Sequence, residues 1–267
     1  MLLSRRVVPL LSDLDIDFGD IRMFEQTPPE ELPSQRTNME QIAHLSSSEQ
    51  NELLNLLDKY HMCFTDNPGL SMLAQHEINL LPVFKPKSLK AYRVRGRLKP
   101  QVSCEIQRML EMGIIRPSNS DTVSPFVVVQ KSPAGQGGIK LAVDHFYLNL
   151  VTRHDPFPVG DIDSRRIMNR VVGVKLISTH DAACGYWQTL VRPENIPLTA
   201  FICDDGIFEF LRIPFGGRSC GSTYIRAMQQ VLKPIKGFTT THIFDLILHK
   251  HANGNNIFGV YIQQIEP

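Results

Sequence analysis

Two carboxylates in this chain stand where chemistry could use them, Asp181 and Asp245. Val174, Leu176 and Ser178 alternate with Lys175, Ile177 and Thr179, the period-2 pattern of a strand, and Asp181 closes that run. The residues behind it are small (Ala182, Ala183, Cys184, Gly185), and Tyr186 and Trp187 follow. A carboxylate at a strand terminus without bulk behind it leaves room for a metal ion and a large substrate. The same residue at a strand-to-helix junction also serves as an N-cap. Asp245 is a lone carboxylate in the apolar, strand-like run from Thr241 to Leu248, where an unpaired buried charge is expensive. Asp204 and Asp205 also invite a metal reading. Asp-Gly between two strand patterns, Phe201–Cys203 and Ile207–Phe210, is instead a hairpin signal.

The cations are patterned too. Residues 85–99 carry Lys85, Lys87, Lys90, Arg93, Arg95, Arg97 and Lys99 with no acid among them and Tyr92 in the middle. Such a stripe can hold phosphates by counterion release, and it is equally what a solvated, extended arm looks like. Lys140 belongs to Ile139–Asp144, which pairs across a Gly-rich connection (Pro133–Gly138) with the buried run Phe126–Val129. Alternation puts Ile139, Leu141 and Val143 on one face and Lys140 on the solvent side. The nine histidines show no metal-ligand spacing and read as core or surface residues.

These residues need elements to hold them, and the chain has enough material. Its 267 residues, 42% hydrophobic and 21% charged, suit one large domain or two small ones. Net charge is +1, so any case for nucleic acid must be local. Five scattered cysteines argue against a disulfide framework and a zinc site and fit a reducing compartment, cytoplasm or nucleus. No apolar run approaches the roughly 18 residues of a membrane span. Residues 1–45 lack sustained period and read as a linker or tail. Ser46 with Glu49 is a capping box opening a helix with Leu53, Leu54, Leu56 and Leu57 on its apolar face. Val102, Ile106, Met109 and Leu110 describe a second helix, ended by Gly113. Pro117, Asn119 and Ser120 read as a loop, Ile162–Val172 and Ser222–Leu232 as further helices.

The order of these features, from about His44 to Lys250, resembles the reverse transcriptase of gypsy-type LTR retrotransposons and retroviruses. The most specific pieces are Glu105–Ser120, Val143-Asp144 with Leu148-Asn149, Gly185-Tyr186-Trp187-Gln188 and Pro214-Phe215-Gly216. His76–Leu80 and Tyr92-Arg93-Val94 look like the segment that precedes the polymerase in such elements. The resemblance implies an α+β right-hand polymerase fold, fingers and palm over residues 46–267 without a thumb, extending a primer with deoxynucleotides on an RNA template. Asp181 and Asp245 then match metal-binding catalytic aspartates. Two Mg²⁺ ions roughly 4 Å apart, or Mn²⁺ in their place, stabilise the attacking and leaving oxygens of such a transfer. Lys140 falls where the family usually has Arg and meets the incoming triphosphate. Tyr186 matches the aromatic under the sugar, and Phe215 and Gly216 match the loop beside nucleotide and template. Lys90, Arg93, Arg95 and Arg97 are the expected nucleic-acid contacts.

Departures from the pattern are specific. The family's Tyr-x-Asp-Asp is His242-Ile243-Phe244-Asp245 here, so Phe244 replaces one catalytic aspartate. Phe146 stands where the family prefers Arg, Gly217–Gly221 replaces a more regular loop, and residues 251–267 no longer resemble the family. The chain therefore also reads as a truncated or decayed copy, a catalytically inactive relic that at most binds nucleic acid.

Overall fold

The computed structural model describes residues 31–43, 45–61, 67–130, 138–157, 174–182, 184–233, 239–242 and 245–251. For residues 41, 130, 174–181, 239–242 and 245–251 it describes the backbone alone. The class is α+β. The chain forms two compact units, each assembled from separated stretches: residues 70–157 with 186–224, and residues 1–69 with 158–185 and 225–267.

In the second of these units, three helices precede the sheet: α1 (Pro33–Arg36), α2 (Met39–Ile42) and α3 (Ser47–Lys59). The capping box forms as its spacing predicts. The Ser46 backbone N–H donates to Glu49 Oε2 at 2.8 Å, and the Glu49 N–H donates to Ser46 Oγ at 3.4 Å. Leu53 and Leu57, one turn apart, bury against the fully buried Ile42. Ser34 N–H donates to Asp58 Oδ1 at 2.9 Å, tying α1 to α3. Residues 33–42, expected in a linker, are thus folded. Helices of four residues are too short to show periodicity in sequence, and they persist by packing on α3.

The other unit holds a five-stranded sheet in the order β2 (Ile115–Pro117), β8 (Gly206–Phe210), β7 (Phe201–Cys203), β3 (Ser124–Gln130), β4 (Ile139–Val143). The β7–β8 hairpin turns on Asp204-Asp205, and Gly206 takes φ +137°, so these acids serve the turn. β3 and β4 pair antiparallel with Val129 opposite Lys140. Pro117 was expected in a loop. It ends β2 on the sheet's edge, where a residue without an N–H is tolerated. A parallel pair, β1 (Ser71–His76) with β6 (Thr189–Val191), was not foreseen in sequence.

Helix α4 (Lys99–Glu111) packs Val102, Ile106 and Met109 into the core with Phe126, Phe201, Phe208 and Phe210. Phe201 is the hub, its ring centroid 5.2–5.9 Å from those of the other three. Gly113 ends α4 at φ +60°. Its N–H donates to Leu110 O and the Ile114 N–H to Met109 O, a Schellman motif that aims the chain into β2. Helix α5 (Phe146–Val151) follows β4, and α6 (Cys220–Val231) covers the helix expected at 222–232. The helix expected at 162–172 lies outside the described residues.

Candidate functional site

Strand β5 (Val174–Asp181) pairs antiparallel with β10 (Asp245–His251), which pairs in turn with β9 (Thr239–His242). The register opposes Asp181 and Asp245 directly, at the last residue of one strand and the first of the other. Directly opposed residues of an antiparallel pair have Cα atoms about 4.5–5.5 Å apart and share one face of the sheet. Residues 64 positions apart in the chain thereby become neighbours through backbone pairing alone. Thr241–Leu248 is not one strand, as its apolar run implied. Asp245 lies opposite His242, and no Gly, Asn or Pro announces the reversal. Phe244 lies outside the described residues.

The candidate nucleotide-contacting residues gather in the unit that carries the five-stranded sheet. The Lys140 ammonium sits 4.3 Å from the centroid of the Phe215 ring, a cation–π contact at an exposed position. Phe215 is 5.4 Å from Tyr186 and 5.7 Å from Trp187, and Tyr186 meets Tyr224 edge-on at 5.7 Å. Partial burial pushes the Tyr186 phenol's pKa up, keeping it neutral. Lys140, Tyr186 and Phe215 come from a strand, a 3-10 turn (Gly185–Gln188) and a loop, so only the fold unites them.

Gly216 holds that loop in place. It has φ +93°, and a Cβ there would lie 3.1 Å from the Val143 carbonyl oxygen. Asn149 Nδ2 donates to Gly216 O at 2.9 Å, while Asn149 Oδ1 accepts from the Arg218 N–H at 2.7 Å. Arg218 Nη1 donates back to Asn149 O at 2.9 Å. Leu148-Asn149 and Pro214-Phe215-Gly216, separate motifs in sequence, therefore form one clamp. Its hydrogen bonds run through a side-chain amide, a signal that spacing does not reveal.

Behind the clamp lie two histidines that sequence reading left as core or surface. His76 Nδ1 is 2.9 Å from Thr223 Oγ1, and its Nε2 is 3.6 Å from Cys220 Sγ. His145 Nδ1 is 3.4 Å from Ser124 Oγ. Its Nε2, buried, has no hydrogen-bond partner among the described residues. Burial pushes both imidazoles down to about 4, so they are neutral at pH 7. The same burial pushes the Cys220 thiol up to about 12, which makes it inert. Among the described residues no group of three His, Cys, Asp or Glu side chains is placed to hold a metal.

In the basic arm, Val94 and Leu98 bury into the core while Lys90, Arg93, Arg95 and Arg97 stay exposed. Arg93, Arg95 and Lys99 line an open groove of about 480 Å³; Lys90 and Arg97 do not. Lys99 pairs with Asp204 at 2.7 Å.

No protein-family model matches the chain. Over 202 residues, 73% of its length, it is 31% identical to the retrovirus-related Pol polyprotein from transposon 297 of Drosophila melanogaster. Over 157 residues, 58% of its length, it is 27% identical to the enzymatic polyprotein of cauliflower mosaic virus strain NY8153. The chain spans 18% and 23% of those two relatives, about a fifth of their lengths. Among solved structures, a foamy viral protease-reverse transcriptase in complex with an RNA/DNA hybrid matches with a TM-score of 0.72 at 20% identity. That match covers 86% of this chain and 31% of the other, and at this identity it speaks to the fold.

Proposed function

The chain is a homologue of the retroviral and retrotransposon Pol polyproteins, and on that premise we propose that it is the fingers and palm portion of an RNA-directed DNA polymerase. The observation that carries the reading is the β5–β10 register, which opposes Asp181 and Asp245 at paired strand ends. Two aspartates offer the hard oxygen donors that Mg²⁺ takes, with water completing its octahedron. In this reading Asp181 and Asp245 hold the metal. Metal ions held there would supply electrostatic stabilisation of the attacking 3′ oxygen and of the departing pyrophosphate.

The chain's own residues do the rest. Lys140 offers a compact cation to the incoming triphosphate, a point charge in place of a bidentate fork. The Tyr186 ring lies under the sugar and crowds a 2′-hydroxyl, favouring deoxynucleotides over ribonucleotides. Phe215 and the Gly216 backbone flank nucleotide and template. Lys90, Arg93, Arg95 and Arg97 hold strand phosphates. The partners are an RNA or DNA template-primer and a deoxynucleoside triphosphate.

A second reading has a specific observation behind it. With Phe244 in place of a carboxylate, the donor set loses one charged ligand, and the chain becomes a relic that binds nucleic acid without copying it. Primer extension on an RNA template, in Mg²⁺ and separately in Mn²⁺, decides between the two. Extension that Asp181→Asn abolishes is the result expected of the enzyme. No extension in either metal, with salt-sensitive RNA binding retained, assigns the chain to the relic.

A further inference from the structure

We propose that the basic arm and the start of α5 form a stacking platform for single-stranded nucleic acid, with Tyr92 and Phe146 as the residues that contact bases. The proposal deepens the nucleic-acid reading of residues 85–99 and does not depend on catalysis. The Phe146 side chain is 67% exposed. Leu150, one helical turn on, is 58% exposed, and Tyr92 is 52% exposed. One carboxylate ties the two aromatic residues together. Asp144 Oδ2 accepts from the Tyr92 hydroxyl at 2.9 Å, and Asp144 Oδ1 accepts from the Phe146 N–H at 3.0 Å. The arm is docked on the same helix: Tyr147 Oη donates to Lys85 O at 2.7 Å, and Lys87 Nζ lies 4.9 Å from the Tyr147 ring centroid.

Charge selects the occupant. Seven cations and no acid lie between residues 85 and 99. Beside Tyr92 the groove presents Arg93 and Arg95, neither with an acidic partner among the described residues; Asp204 is taken by Lys99. A polyanion is the complement of such a stripe, and counterion release drives its binding. Exposed rings on the cationic arm and on the helix it docks against add a second requirement, a planar partner with an open face. Bases in a duplex have their faces covered by neighbours, whereas those of a single strand stack freely on aromatic side chains. Phosphates in the groove and bases on Tyr92 and Phe146 satisfy both requirements with one strand.

The test is fluorescence anisotropy of the full chain with a fluorescein-labelled twelve-nucleotide single strand and with the matching duplex, in EDTA. The wild-type chain is expected to bind the single strand more tightly. Phe146→Ala and Tyr92→Ala should each weaken single-strand binding by about five- to tenfold and leave duplex binding unchanged. Phe146→Trp should retain it. Arg93→Gln should weaken both probes and lower the single-strand salt slope by about 0.7. Unchanged single-strand affinity in Phe146→Ala, equal losses on both probes, or no binding by the wild-type chain would overturn the platform. Loss of primer extension with these binding results intact would sink the polymerase reading alone.

Discussion

At Gly216 the backbone itself sets the course of the loop. Its φ of +93° is open to glycine and strained for other residues, and a Cβ would press on a carbonyl oxygen of β4 that has no flexible end to yield. Gly216→Ala is therefore expected to destabilise the chain by about 1–3 kcal/mol, read from urea unfolding, and to loosen the Phe215 loop. At position 244 the argument runs the other way. If the β5–β10 end is a metal site short of one ligand, Phe244→Asp should raise primer extension in Mg²⁺ by at least the roughly 10–100-fold that weaker partners of a metal contribute. An unchanged rate in Phe244→Asp would count against metal binding by Asp181 and Asp245.

Among the elements, short helices and hairpins do the positioning. Four-residue α2 has no stability of its own, yet Ile42 at its end is fully buried against Leu53 and Leu57. Ile42→Ala should cost about 2–5 kcal/mol by the lost transfer energy and the cavity left behind. The check is a lowered midpoint in the helical circular-dichroism signal on urea titration, and a shift within error would show that α1 and α2 are dispensable. The hairpin β3–β4 offers Lys140 to the Phe215 ring, and the Asn149 clamp sets where that ring lies. The antiparallel pairing of β5 with β10 brings two distant acids face to face.

For the whole molecule, pH is the most direct lever, because His76 and His145 are buried and neutral. Each has its folded pKa pushed down to about 4 by burial, from 6.5. Between those values the unfolded chain binds more protons, so stability rises with pH across the window. The full contribution is present above about pH 6.5 and is lost as pH falls toward 4. Its size is on the order of 3 kcal/mol per histidine. The single tryptophan, buried Trp187, reports the transition by fluorescence. Urea midpoints should fall steeply from pH 7 to pH 5, and His76→Gln should flatten that slope. A flat profile in the wild-type chain would contradict the burial of these rings.

Capping chemistry and local order were enough to give the start of α3, the end of α4 and the Asp204-Asp205 turn, and the resemblance to Pol polyproteins carried the α+β class. The first three rest on neighbours in the chain: Ser46 with Glu49, Met109 through Ile114, Asp205 with Gly206. What the residues next door do not encode had to wait for the fold. Separated stretches pair into two units, four-residue helices survive by burial, and a proline ends an edge strand. Lys140 meets Phe215, Asn149 clasps Gly216, and one carboxylate joins Tyr92 to Phe146. Asp181 and Asp245 carry no mark of each other in the sequence. Sheet register, a matter of hydrogen bonds between strands 64 residues apart, makes them neighbours.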